Sequence, residues 1–544
     1  MRVLGIGGSI HDFCACLVVE GEVVFAVEEE RLTRVKQAFG LGPELARCRA
    51  ADVVLEAAGI GLDGVDMVIA NDFLNPVYAT RFQDRVQWIG HHLSHAASTF
   101  YTSPFDSAAV LVMDGRGSTV PTGAGPTGET ITFYTGDSTG LHVVRQQLGR
   151  VMGPDEDPFE DSIGRMYEEV SKSIGFIQKR SSFAEPGKTM GLAPYGGPRY
   201  LDAVAATFHL GAGEFRQSSK EQAALRELIA AELAAAGDAP ARERVRADFA
   251  YAVQAHTERI VIELASWLHQ QTGERRLCLA GGVALNSVTN YRLLTETPFE
   301  ELYVFPAAGD NGTAIGAALY GYHEVAGHPR KVSDAPFSPY LGRCYSPADI
   351  DAALAGFAQE VRWERRDDLY DHVAAALAAG AIVGWFQGRA EIGPRALGNR
   401  SILADPRAPG MKDHINAKVK HREAFRPFAP VVLESRQREF FTSEVPAYYM
   451  LLVPDVVAEH RQTIPAVTHV DGSARLQTAT PALNRPLCEL LSAFDRITGV
   501  PVLLNTSFND NNEPIVETPS DALRCFLNTE MDLLVIEDRV IRKS

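Results

Sequence analysis

The sequence predicts a mixed α/β protein built as two successive domains. Short apolar runs ending in glycine turns recur along the first half, stretches with helical spacing separate them, and a proline-rich interruption precedes a second such series. Residues 3–6 read as a strand entering Gly7-Gly8, and 16–20 with 22–27 read as a hairpin around Gly21. Residues 110–113 lead into Asp114-Gly115-Arg116-Gly117, and 277–280 lead into Gly281-Gly282. Strands that end this way point to one site fed by several strand ends. Segments 225–236 and 249–271 carry apolar residues at helical spacing, with a loop expected over 236–241. From 327 to 346, Pro329, Pro336, Pro339 and Gly342 break the pattern, so the expected domains are 1–335 and 345–544.

Composition narrows the class. The chain has 544 residues, 46% of them hydrophobic, which is enough for two cores. With 69 acidic against 52 basic residues the formal charge is −17, which argues against broad binding to nucleic acid or an anionic membrane. The N-terminal residues lack the pattern of a signal peptide, and no apolar run reaches the ~18 residues of a membrane span. Seven cysteines without CxxC spacing read as reduced thiols. The expectation is a cytoplasmic protein with neither nucleic-acid nor membrane partners; a homodimer follows only from the habits of enzymes this large.

The first constellation suits a metal. His91 and His95 are four residues apart, so on a helix both imidazoles share one face, while His92 points elsewhere. Asp114 follows an apolar strand and precedes Gly115 and Gly117, an arrangement that aims a carboxylate into a backbone-lined cleft. Asp310 lies among small residues before a helix whose free N–H groups could hold a phosphate; its plainer reading is a helix N-cap. Two imidazoles and two carboxylates suit Fe(II), Mn(II) or Zn(II).

HHxxHA, DGxG, the GGVALN turn and GDxGxAxGAA together resemble the Kae1-like domain of the actin/Hsp70-type ATPase superfamily. The resemblance implies that His91, His95, Asp114 and Asp310 are metal ligands and that Gly281, Gly282 and Asn286 border a nucleotide.

The second constellation is cationic. Residues 384–407 carry Arg389, Arg395, Arg400 and Arg407 between glycines and proline, planar donors matched to phosphate or carboxylate oxygens. The series continues through Lys418, Lys420, Arg422 and Arg426, and then Arg475 beside a turn; a solvated, salt-bridged surface is the alternative. Asn505 and Ser507 end an apolar strand with groups that orient a ligand or cap a turn. The order QGRxExGPRALGxRSILADPR, KxREAFRPFAP, HVDGxARxQ and LLNTSFN resembles the YrdC-like domain of the natural-product O-carbamoyltransferases, the family of the tobramycin, cephamycin, novobiocin and nodulation-factor enzymes.

That resemblance implies a Kae1-like domain followed by a YrdC-like α/β domain, and a reaction in two steps. Carbamoyl phosphate and ATP, with Mg, give carbamoyl adenylate in the second domain. The first domain then passes the carbamoyl group to a hydroxyl of an antibiotic-type small molecule, using a divalent metal that the family suggests is Fe(II). Arg389, Arg395, Arg400, Lys418, Lys420, Arg426 and Arg475 would meet phosphate oxygens, Asn505 and Ser507 the carbamoyl end, and Met450 would line the pocket by position. His11, beside Asp12, is the candidate base for the acceptor hydroxyl, with a capping role as its competitor. Lys36 would touch ligand anions, unless it is part of a solvated charge run. Residues 153–175, with Glu156, Asp157, Glu160, Asp161 and Met166, would line the acceptor pocket or form a surface helix. The competing functions are threonylcarbamoyl-type transfer to tRNA, disfavoured by the acidity, and a non-catalytic actin-like ATP-binding regulator.

Overall fold

The computed structural model describes residues 1–122, 125–150, 159–179 and 181–544. It is mixed α/β and forms two compact units. The first comprises Met1–Glu22, Phe39–Arg47 and Asp63–Asp334, and the second Val23–Ala38, Cys48–Leu62 and Ala335–Ser544. Two segments near the N-terminus therefore group with the C-terminal unit. Among the described residues no helix is long and apolar enough to cross a membrane.

In the first unit, strand Arg2–Gly7 pairs antiparallel with Cys14–Val19 and parallel with Met67–Asn71, which pairs parallel with Val86–Ile89. Val3, Leu4 and Ile6 are fully buried, as a strand covered on both faces requires. A second sheet runs Glu301–Val304, Arg276–Ala280 and Ala108–Met113 in parallel, then Gly125–Asp137 antiparallel. Helices His91–Thr102 and Thr313–Tyr320 pack together. Their backbones meet at Gly316, where a Cβ would stand 1.7 Å from the Ser94 carbonyl oxygen, so only glycine permits the approach. The expected loop at 236–241 is shorter: helix Ala239–Thr272 begins inside it, because Asp238 accepts a hydrogen bond from Ala241 N–H and Pro240 occupies the first turn, where proline is tolerated.

In the second unit, eight strands run in the order Val361–Arg365, Arg539–Lys543, Leu533–Ile536, Val383–Phe386, Arg400–Ala404, Val502–Ser507, Ala429–Leu433 and Gln477–Ala479. Helices Leu369–Ala378 and Pro481–Thr498 contribute to one core that includes Trp385, Leu403, Val431, Leu503 and Val535. Register sets Ser507 opposite Ser401, Asn505 opposite Leu403 and Ala429, and Gln477 opposite Val431. Residues of the NTS and ARxQ motifs thus lie on two strands that flank strand Ala429–Leu433.

Candidate functional sites

Among the described residues, His91, His95, Asp114 and Asp310 form a group whose donor atoms lie within 4.8 Å of one another. Both histidines are completely buried on one helix face, and each carboxylate residue is 8% exposed. The two Nε2 atoms are 3.2 Å apart, a spacing compatible with two donors each about 2.1 Å from one ion. Asp114 Oδ2 lies 3.2 Å from His91 Nε2 and 3.6 Å from His95 Nε2, and Asp310 Oδ1 lies 3.5 Å from each. Asp114 Oδ1 is held by the N–H groups of Gly115 and Gly282 at 2.8 and 3.1 Å, which leaves Oδ2 for the histidines. Asp310 does not cap the following helix, whose N-cap is Gly312.

Asn71, which the sequence reading passed over, orients the first ligand. Its amide N–H groups donate to Gly8 O at 2.9 Å and Thr313 Oγ1 at 3.2 Å, so its Oδ1 must accept, and His91 Nδ1–H donates to it at 3.1 Å. That tautomer keeps the His91 Nε2 lone pair for a cation, the usual outer support of a metal-bound imidazole. The signal was available, since Asn71 ends a buried strand as Asp114 nearly does. His92 instead bonds Thr132 Oγ1 at 2.8 Å on another face, and burial pushes its pKa down to about 4.

The quartet is charge-balanced. Burial opposes charge on His91, but hydrogen bonds with Asp114 and Asp310 outweigh it and push the ring up to about 10. Burial, and for Asp114 the neighbouring charge of Asp310, would raise the two carboxyls, yet the histidines hold both well below the usual range. Donor types, spacing and this stored preference for positive charge all fit a divalent transition metal. Beside it, His11 Nδ1 is 2.9 Å from Asp12 Oδ2 and 4.0 Å from Asp310 Oδ2. Burial lowers its pKa, but Asp12 dominates and brings it up to about 9.

Gly281 and Gly282 follow strand Arg276–Ala280; Gly281 has φ +90° and packs against the Met113 backbone. Asn286 serves as a helix cap, its Oδ1 accepting from Thr289 N–H, and it exchanges amide hydrogen bonds with Gln254. Of the segment considered for the acceptor, Glu156 and Asp157 lie outside the described residues. Asp161 is paired with Arg216 at 2.9 Å, and Met166 is buried within helix Ile163–Ser173.

The second unit gathers the opposite kind of site. Arg395, Arg422, Arg426 and Arg475 lie within electrostatic reach of one another. Burial and Arg426 push the Arg395 guanidinium down to about 10; burial and then Arg426 bring Arg422 to about 9; Arg475 falls well below its ordinary value through burial and the other three arginines. The Nε atoms of Arg395 and Arg475 are buried without a hydrogen-bond partner. Lys420 Nζ, 4% exposed as a residue, donates to Ser507 O at 2.9 Å, Ser507 Oγ at 3.2 Å and Asn509 O at 2.7 Å; burial and Arg422 hold it well below its usual pKa. Asn505 Nδ2 donates to Gln477 Oε1 at 2.6 Å, and its Oδ1 is buried without a partner. Met450 is buried in the left-handed region at φ +57°, a strained conformation of the sort that collects at functional sites. Lys36 also adds its charge beside Lys420.

Three expected phosphate ligands are engaged elsewhere. Arg389 donates to the carbonyls of Gly342, Val24 and Leu341, and its guanidinium stacks on Phe25. Arg400 is fully buried, donates to the carbonyls of Gln387, Asn399 and Gly388, and stacks on Phe386. Their guanidinium forks fasten loop backbone, a role the motif alone cannot distinguish from phosphate binding. Lys418 is exposed and paired with Glu530 at 3.1 Å.

Comparison with known proteins identifies the family. The chain matches the family models Carbamoyltransferase N-terminus over 75–319 and Carbamoyltransferase C-terminus over 374–543. It is 36% identical to the Uncharacterized protein sll1178 of Synechocystis sp., covering 100% of this chain and 97% of that protein. It is also 36% identical to the Nodulation protein NolNO of Sinorhizobium fredii, covering 98% and 79%, and 38% identical to the Nodulation protein NolO of Bradyrhizobium diazoefficiens, covering 84% and 79%. Among solved structures, the Activator of the 2-Hydroxyisocaproyl-CoA Dehydratase from Clostridium difficile matches at 13% identity and a TM-score of 0.36, covering 60% of this chain and 96% of that one, a likeness too slight to say anything about ligands. With both family models matched and relatives aligned over most of its length, the chain belongs to the carbamoyltransferase family and is a carbamoyltransferase.

Proposed function

We propose that the chain is a two-step O-carbamoyltransferase, with an actin/Hsp70-type, Kae1-like first unit and a YrdC-like second unit. The observation that carries this reading is the cluster of Arg395, Arg422, Arg426 and Arg475, in which burial and neighbouring guanidinium charge push Arg395, Arg422 and Arg475 down in pKa. Such a concentration of half-buried positive charge calls for several anionic oxygens. In the second unit water cleaves carbamoyl phosphate, giving carbamate and inorganic phosphate. A carbamate oxygen then attacks the α-phosphorus of Mg-ATP, the bond to pyrophosphate breaks, and carbamoyl adenylate forms. Arg395, Arg426 and Arg475 neutralise phosphate charge, while Lys420, Ser507 and Asn505 orient the carbamoyl end and Met450 lines the pocket.

In the first unit an acceptor hydroxyl attacks the carbamoyl carbon and AMP leaves. The acceptor is a hydroxyl-bearing small molecule of the natural-product type. His91, His95, Asp114 and Asp310 would hold one divalent transition metal, Fe(II) by the family pattern and Mn(II) or Zn(II) by the same donor set. When bound, the ion supplies Lewis-acid neutralisation of the leaving phosphate. His11 takes the hydroxyl proton, and Asp12 stabilises the imidazolium that results. Since His11 is raised to about 9, its neutral fraction is small at pH 7, and transfer is expected to quicken as pH rises toward that value.

Incubation with carbamoyl phosphate and Mg-ATP tests the first step. Pyrophosphate and carbamoyl adenylate are expected only when both substrates are present; their absence, beside an active control enzyme, would sink the mechanism.

A further inference from the structure

The loop that carries Arg395 is fastened by a segment that lies at the other end of the sequence. Glu28 and Arg31 belong to Val23–Ala38, and they are 4% and 2% exposed. Arg31 Nε lies 3.2 Å from Glu28 Oε2, and both side chains close on one glycine. Gly393 N–H donates to Glu28 Oε1 at 2.9 Å, and Arg31 Nη2–H donates to the Gly393 carbonyl at 2.9 Å. Gly393 has φ +97°, a conformation an L side chain would strain to adopt. Glycine supplies the geometry and the ion pair holds both of its backbone polar groups. Pro394 and Arg395 follow at once, and proline's fixed φ passes the orientation set at Gly393 directly to Arg395.

The neighbouring Arg34 fastens another part of the unit, donating to the carbonyls of Pro514 and Ile515 at 2.8 and 2.6 Å. Glu29 ties the segment to the second inserted piece, accepting from Ala50 N–H at 2.9 Å. A buried ion pair contributes little net stability, because desolvation offsets the attraction. Its placement on both polar groups of one loop residue has a clearer consequence for geometry.

We propose that Glu28 and Arg31 are positioning residues for the phosphate-bearing substrates: by clamping Gly393 they set the direction of Arg395, making residues 23–38 a working part of the second unit's anion pocket. This rests on the reading that the pocket takes phosphate oxygens.

A double-mutant cycle in the full-length chain tests it. Two quantities are followed: pyrophosphate release from ATP with carbamoyl phosphate, and binding of added inorganic pyrophosphate. Arg31→Met is expected to lower kcat/KM and pyrophosphate affinity about 30-fold when Arg395 is present, and less than about threefold on an Arg395→Ala background, since a residue acting through Arg395 then has nothing to position. Arg31→Lys should recover part of the loss. Should Arg31→Met fail to fold, the near-isosteric Glu28→Gln runs the same cycle, with a smaller loss and the same dependence on Arg395. Equal losses on both backgrounds would overturn the clamp, as would a wild-type chain with no affinity for pyrophosphate. A wild-type chain that binds pyrophosphate but releases none from ATP would instead remove the carbamoyl-adenylate reading, and the binding cycle would still decide the clamp.

Discussion

The quartet of the first unit and the arginine pocket of the second solve opposite electrostatic problems. At the quartet, two imidazoles face two carboxylates, so a positive charge is already matched by groups 3.2 to 3.6 Å away. In the pocket, burial and neighbouring guanidinium charge depress Arg395, Arg422 and Arg475, and Lys420 is surrounded by hydroxyl, amide and carbonyl oxygens rather than a carboxylate. The donor set of the first arrangement suits a cation and that of the second an anion. A site that is strained without its ligand should gain stability when a charge is removed; a balanced site should lose it.

The largest expected effect follows from that contrast. Arg475→Met should reduce pyrophosphate release by about 100-fold or more, the scale of removing one preorganised charge-stabilising donor, while leaving the thermal midpoint unchanged or raised. A clear drop in the midpoint would show that Arg475 is balanced by the protein itself. Asp114→Asn should behave in the opposite sense: metal content of the purified chain falls, and the midpoint falls with it, because buried His91 and His95 lose their counter-charge. Retention of one metal per chain, measured by elemental analysis, would count against the quartet.

The pH dependence should also differ in sign. His91 in the metal-free chain is raised from 6.5 to about 10, so its contribution to stability is complete below pH 6.5 and is lost as pH rises toward 10. A metal must displace that proton, so its affinity should rise across the same window. Lys420 is depressed below 10.5, so the unfolded chain binds the extra proton and the second unit gains stability as pH rises toward 10.5. Metal titrations between pH 6.5 and 10 check the first statement; loss of the slope in His91→Leu would tie it to that ring. The smallest effect is expected at Lys418→Ala, an exposed pair on the same motif, with stability and pyrophosphate release close to wild type.

Much of the quartet was legible because helical spacing aligns His91 with His95, and because strand-then-glycine and small-residue turns mark Asp114 and Asp310. Asn71 was not, since one amide that fixes a tautomer leaves no periodic pattern. In the cationic motif, residue type alone could not show that Arg389 and Arg400 donate to loop carbonyls, because a guanidinium serves a carbonyl as readily as a phosphate and only the loop path decides. The mixed α/β character followed from apolar runs and turns. The assignment of Val23–Ala38 to the second unit did not, because a long-range clamp such as Arg31 on Gly393 is written in no local composition.

Division of one reaction between two sites of opposite charge preference is checked by stripping the transition metal from the full-length chain, restoring Mg, and measuring pyrophosphate release with carbamoyl phosphate and ATP. Release within about twofold of the metal-replete protein is expected if the second unit alone performs that step. Loss of release on stripping, recovered by returning the transition metal, would contradict it.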